Sequence, residues 1–136
     1  MKHIAAILLV FATVASGAEV VLNWTLPLYT KEGYHSMTAR GDEMRPTGED
    51  QYEVVNLTLI RFRGDATNAV EDIILSPAAT FLSRERIARG DKFVRFIGDD
   101  IEATGKRWIY RQKEKKISLD GEVRVTFGAE LKNLLK

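Results

Sequence analysis

The sequence predicts an all-β domain, and three observations carry that prediction. Short apolar runs recur every eight to twelve residues, with Gly, Pro, Asn or Asp between them, which is the spacing of a sandwich or open barrel. A small β-unit is then stated more than once. Residues 79–82 (Ala-Thr-Phe-Leu) lead through polar 83–85 to 86–90, closed by Gly90, and then to 93–96 with Arg95 inside it. Residues 107–110 (Arg-Trp-Ile-Tyr) lead through charged 111–115 to 116–121, closed by Gly121, and then to 123–127 with Arg124 inside it. A looser copy covers 39–62 and has Asn56 at the glycine position, so the markers Asn56, Gly90 and Gly121 are 34 and 31 residues apart. Repetition at this period means one thin unit stacked on its neighbours to bury a shared face. Finally, helical spacing occurs only at the end, where Leu131, Leu134 and Leu135 mark a short C-terminal helix.

Taken in order, residues 1–18 read as a secretory signal peptide. Lys2 precedes an 11-residue apolar run, 4–14, and the small residues of 15–18 follow. That run is well short of the ~20 residues a membrane-spanning helix needs. Cleavage is expected after Ala18, with an uncleaved inner-membrane anchor as the alternative, and residues 19–136 form a single domain. Within it, 19–28 predicts a first strand ended by Pro27 and 34–39 a second. Residues 40–50, with Gly41, Pro46 and Gly48 among charges, predict a loop. Residues 52–62 are the longest β-run, and 70–75 predict a strand stopped by Ser76-Pro77. The two clear repeats follow, joined by a turn at Gly98-Asp99 and a strand over 101–104.

Composition narrows the chemistry. Without residues 1–18 the chain has 19 basic and 19 acidic side chains, which argues against general nucleic-acid binding. It has no cysteine, so an exported domain of this length stands on its hydrophobic core alone. His35 is the only histidine after residue 18, which removes His/Cys metal sites, and it reads as a half-buried strand residue. Asp99, Asp100 and Glu102 read as a solvated turn, because no glycine-spaced calcium loop surrounds them. No phosphate loop and no nucleophile with a base are present. The expectation is a protein without catalysis, metal or cofactor.

Arg-Gly-Asp occurs at 40–42, 63–65 and 89–91, and reads first as Gly-Asp turn chemistry at the ends of strands. The acceptor patterns Asn23-Trp24-Thr25 and Asn56-Leu57-Thr58 both fall within expected strands. A basic cluster, Lys106, Arg107, Arg111, Lys113, Lys115 and Lys116, reads either as protection of a sheet edge or as a rim for a phosphorylated ligand. If the repeated central Arg95 and Arg124 face water, period-two alternation turns Val94, Phe96, Val123, Val125 and Phe127 inward. Trp108 and Tyr110 share a face of their strand, Ile117 and Leu119 share another, and Phe81 is their counterpart in the first repeat.

An exported, cysteine-free β-domain whose repeat ends Ile117-Ser118-Leu119-Asp120-Gly121-Glu122-Val123-Arg124-Val125 resembles the OstA-like periplasmic proteins of lipopolysaccharide export, the LptA/LptC family. The resemblance covers nearly all of residues 19–136 and rests on small, apolar and glycine positions. It implies a β-jellyroll of two facing antiparallel sheets splayed into a V, with lipid A acyl chains held in the gap. On that reading Phe81, Val94, Phe96, Trp108, Tyr110, Ile117, Leu119, Val123, Val125 and Phe127 form the lipid-binding face, and Lys106, Arg107 and Arg111 form a basic rim. Implied partners are lipopolysaccharide, other OstA-like domains joined edge to edge, and an inner-membrane ABC transporter complex. The location implied is the periplasm. LptC-type members usually keep a transmembrane helix, a departure that leaves both a soluble bridge and an anchored component open. The alternative is a structural or adhesive exported β-sandwich with a packed interior and contacts through surface loops.

Overall fold

The structure, a computed structural model, describes residues 19–128. The signal segment and the leucine-spaced tail lie outside the described residues. Eight strands follow in order: β1 (Val21–Tyr29), β2 (His35–Gly48), β3 (Gln51–Phe62), β4 (Val70–Leu82), β5 (Ile87–Gly90), β6 (Val94–Ile97), β7 (Ile101–Arg111) and β8 (Lys116–Phe127). The fold is all-β, and no helix occurs among the described residues.

Every pairing is antiparallel, and the ladder runs without a break from β1 to β8. β5 and β6 lie end to end in one lane between β4 and β7. The result is an up-and-down meander in a single sheet. β1 and β8 are its two edges. The repeat seen in the sequence is therefore the hairpin: Asn56, Gly90 and Gly121 occupy matching places in strands that run the same way.

Those places form a transverse crease. Four residues inside strands take left-handed backbone angles: Asn23 (φ 49), Asn56 (φ 54), Arg107 (φ 54) and Glu122 (φ 49). The ladder gives way beside them. β1 and β2 pair Leu22 with Glu43 and then Trp24 with Gly41. β3 and β4 pair Val55 with Ala78 and then Leu57 with Ser76. The β7–β8 register shifts between Thr104 and Lys106, and the β5–β6 lane is interrupted between Gly90 and Val94. In β1–β2 and β3–β4 one facing pair is skipped on both strands and the register is kept, whereas the β7–β8 shift is a β-bulge with its extra residue on β8. The inner face shows the interruption on single strands: buried positions step by two along each strand, but by three from Val54 to Leu57, Ser76 to Ala79 and Gly105 to Trp108. These interruptions keep the apolar side of the sheet on one side while the sheet turns.

The crease divides the sheet into two flanks. The first holds 43–48, 51–55, 78–82, 87–90, 108–111 and 116–121; the second holds 24–29, 35–41, 57–62, 70–76, 94–97, 101–105 and 123–127. One core cluster draws on both, including Trp24, Leu57 and Ile74 from the second flank with Val54, Trp108 and Tyr110 from the first. Trp24 meets Phe81 edge-on across the crease, with ring centroids 6.0 Å apart.

Several expected boundaries give way to longer strands, for one physical reason. Proline ends a strand only where its missing N–H was needed. Pro27 is within β1, an edge strand with one neighbour. Pro46 pairs with Tyr52 in β2, beyond Met44, where the β1 ladder has already ended. Pro77 faces Asn56 at the crease, where the β3–β4 ladder skips a pair. Residues 40–50 are thus mostly strand and not a loop, and 101–104 and 107–110 are one strand, β7. Gly41 is the cross-strand partner of Trp24, and a Cβ there would lie 3.0 Å from the indole, so glycine in this strand makes room for the ring.

Candidate ligand-binding site

Two clefts adjoin one another on the inner side of the sheet. The first, about 80 Å³, is apolar and lies between the flanks. Leu26, Leu28, Met37 and Leu59 line it from the second flank, and Met44, Tyr52, Phe81 and Tyr110 from the first. Alternation places them there: 26 and 28, 37 and 39, 57 and 59 are inward pairs of consecutive strands. The second cleft, about 290 Å³, opens where the 63–69 turn of one flank approaches the 83–86 and 112–115 turns of the other. Met37, Arg86, Tyr110 and Gln112 line both, so the clefts share a wall.

An ion pair stands beside the shared wall, against Tyr110. Arg61 donates from Nε to Asp72 Oδ1 and from Nη2 to Asp72 Oδ2, both at 2.5 Å, a bidentate arrangement across the β3–β4 ladder. Both side chains are nearly buried, 12% and 6% exposed. Glu71 Oε2 lies 3.7 Å from Arg61 Nη2. Nη1 of Arg61 reaches the Tyr110 hydroxyl at 3.5 Å, the limit of a hydrogen bond, and the guanidinium lies over the Tyr110 ring at 5.4 Å. This contact joins β3 to β7, which are not sheet neighbours. The hydrogen bonds to Asp72 hold the Arg61 guanidinium even further above its ordinary range, against the cost of burial. Burial pushes the Tyr110 phenol above its ordinary value of 10.0, with Arg61 pulling the other way.

The sequence-predicted residues divide into three groups. Phe81 and Tyr110 line the apolar cleft. Val94 and Trp108 are fully buried core, and Phe96, Ile117 and Leu119 pack against that core at its margin. Val123, Val125 and Phe127 are 48%, 43% and 49% exposed on β8, because an edge strand beyond Glu122 has a neighbour on one side only. Arg95 and Arg124 face solvent, and Arg95 pairs with Glu102 at 2.6 Å.

The expected basic rim is not assembled. Lys106 pairs with Glu122 (2.8 Å), Arg107 with Asp120 (3.5 Å) and Arg111 with Glu114 (3.8 Å), and none of the three lines either cleft. The cations at the cleft mouth are Arg61, Arg63, Arg86, Lys113 and Lys115, against the single carboxylate of Glu71. Lys113 and Lys115 come from the cluster visible in the sequence. Arg61 and Asp72 were missed, although a signal existed: the inward series Leu57, Leu59 continues to Arg61, and Ser76, Ile74 continues to Asp72. Opposite charges at inward positions of one hairpin mark a buried pair.

His35 is partly buried and stacks on Phe62 at 4.0 Å, with Nε2 2.6 Å from Thr38 Oγ1. Of the Arg-Gly-Asp triplets, 40–42 runs within β2 and 89–91 spans the end of β5, while 63–65 begins a turn. Asp42 accepts a hydrogen bond from Asn56 Nδ2 (2.6 Å), and Asp65 accepts one from the Thr67 hydroxyl. Both Asn residues of the glycosylation patterns are left-handed crease residues, a conformation that asparagine tolerates better than most. Among the described residues no helix is long and apolar enough to cross a membrane, and no three His, Cys, Asp or Glu side chains gather at one place. No protein-family model matches the chain, and no curated protein matches it.

Proposed function

We propose that this protein is an OstA-like periplasmic carrier of lipopolysaccharide, passing lipid A from an inner-membrane ABC transporter complex toward the outer membrane. On this reading the two flanks are the facing walls of a splayed jellyroll, and the acyl chains lie between them. The observation that carries the proposal is the apolar cleft between the flanks, which shares a wall with a basic mouth. An amphiphile needs that combination, because burial of its tail and solvation of its charged head must be met at adjoining places.

The volume bears on mechanism. A cavity of about 150 Å³ holds benzene, so a cleft of about 80 Å³ cannot hold an acyl chain as it stands. Loading therefore requires the flanks to part, which costs the contacts across the crease. At ~0.8 kcal/mol per buried methylene, a chain of several methylenes offsets that cost. The half-exposed Val123, Val125 and Phe127 extend the apolar surface along β8 to the open edge. That edge and β1, where Leu22 is exposed, are the proposed joints to further OstA-like domains.

A photo-crosslinking side chain at Phe81 or Val125 is expected to capture lipopolysaccharide, and one at Arg95 or Arg124 is not. Equal labelling at all four positions, or none at Phe81, would overturn the carrier reading. The small cleft volume favours a second reading, a structural β-sandwich whose interior is simply packed. Absence of labelling at both Phe81 and Val125 would establish it in place of the first.

A further inference from the structure

We propose that the mouth formed by Arg61, Arg63, Lys113 and Lys115 is an anion site for the head of an amphiphile, a phosphate or carboxylate, whose tail enters the apolar cleft behind Tyr110. The inference rests on the carrier reading only in taking the cleft as the place of the tail. Three observations support it. The mouth is a real space, about 290 Å³, large enough for a hydrated phosphate, whereas the apolar cleft beside it is not. Its charge is one-sided, and Lys113 and Lys115 of the β7–β8 turn have no ion-pair partner among the described residues, unlike Lys106, Arg107 and Arg111 of β7.

The third observation concerns Arg61. Its Nε and Nη2 are committed to Asp72 at 2.5 Å, which fixes the plane of the guanidinium, while Nη1 makes only the 3.5 Å contact to Tyr110. A fixed arginine with one weakly used N–H at the edge of a basic space is preorganised for an oxyanion. An anion taking Nη1 would release the Tyr110 hydroxyl, the contact that joins β3 to β7 at the wall between the clefts. Head binding would thereby loosen the wall that the tail must pass.

The test is calorimetric titration of the purified protein at low salt with dodecyl phosphate, dodecyl maltoside and inorganic phosphate. Dodecyl phosphate is expected to bind about tenfold or more tighter than the maltoside, the scale of one or two charge-assisted hydrogen bonds. That advantage should shrink as salt is raised. Lys113→Gln with Lys115→Gln, and separately Arg63→Gln, should bring dodecyl phosphate down toward the maltoside. Lys92→Gln with Lys116→Gln should change nothing. Equal affinity for the two amphiphiles, or an advantage untouched by the mouth variants, would overturn the proposal. Inorganic phosphate binding as tightly as dodecyl phosphate would also overturn it, by showing a free-anion site uncoupled from the cleft. Lipopolysaccharide crosslinking at Phe81 with no preference for the phosphate head would sink this site and leave the carrier standing. The reverse pattern would do the opposite.

Discussion

Trp24 and Trp108 occupy matching places in the two halves of the sheet, β1–β4 and β5–β8. Each follows a left-handed residue, Asn23 or Arg107, and each is paired across the ladder with a glycine, Gly41 or Gly90. The residues that build the two stations differ. The first half uses asparagine at both of its crease positions inside strands, Asn23 and Asn56, while the second uses Arg107 and Glu122. Asparagine accepts the left-handed region at small cost, but an ordinary side chain resists it by roughly 1–2 kcal/mol. The bend is thus locally encoded in one half and imposed by packing in the other. The tolerances differ as well. A Cβ on Gly90 would lie 2.6 Å from Trp108 Nε1 and 2.8 Å from the Ala78 carbonyl, whereas one on Gly41 has nothing nearer than 3.0 Å.

The largest expected effect comes from cutting the contact that joins the halves. Arg61→Met leaves Asp72 buried without its partner, which should cost about 3–5 kcal/mol in urea unfolding. Adding Asp72→Leu should recover most of that loss, because no uncompensated charge then remains inside. A double variant as unstable as the single one would show that the loss comes from the contacts of Arg61 itself, the one to Tyr110 included, and not from an uncompensated Asp72.

The glycines come next. Gly90→Ala should destabilise by about 1–3 kcal/mol, the range of an overpacked core, and Gly41→Ala by less. Equal losses would mean that the two stations are equally tight and that the difference in clearance has no consequence.

A smaller effect should appear in alkali. Burial raises both Tyr52 in the first half and Tyr110 in the second above the ordinary phenol value. A raised folded value means the fold holds the proton more tightly than the unfolded chain. Stability is then complete below pH 10 and declines as pH rises beyond it. Tyr52→Phe and Tyr110→Phe should each flatten that decline, read from unfolding midpoints between pH 8 and 11. A midpoint that stays level in the wild type would remove the assignment.

The hairpin repeat was legible because its markers recur in the same lane of each unit, and Val94, Phe96, Trp108 and Tyr110 lie inward as alternation predicts. Strand continuity was not legible. Pro27, Pro46 and Pro77 read as stops, and only their place on an edge or crease shows that no ladder bond is lost. Crossing the crease adds one residue, so alternation counted through it changes face, and no composition rule announces a left-handed residue at Arg107. The rule that a central arginine faces water holds for Arg95 and fails for Arg61, where Asp72 lies opposite in register. The basic cluster was visible, but its division was not. Neighbouring acids occupy Lys106, Arg107 and Arg111, and only the 112–115 turn reaches the mouth.

The smallest prediction tests the asymmetry between the halves most directly, because it turns on sign. Arg107→Gly removes a side chain from a left-handed position and deletes an exposed pair with Asp120 (3.5 Å, 58% and 83% exposed) worth about 0–1 kcal/mol at most. Relief of backbone strain, roughly 1–2 kcal/mol, is set against that loss and against the greater freedom of glycine in the unfolded chain, roughly 0.5–1 kcal/mol. The balance should be neutral to stabilising, within about 1 kcal/mol. Asn56→Gly has little strain to relieve and deletes the 2.6 Å hydrogen bond to Asp42, so it should destabilise by about 0.5–1.5 kcal/mol. The urea midpoint should therefore fall at or above that of the wild type for Arg107→Gly and below it for Asn56→Gly. If Asn56→Gly is the more stable, the crease in the first half is not encoded by its asparagines, and both halves are bent by packing alone.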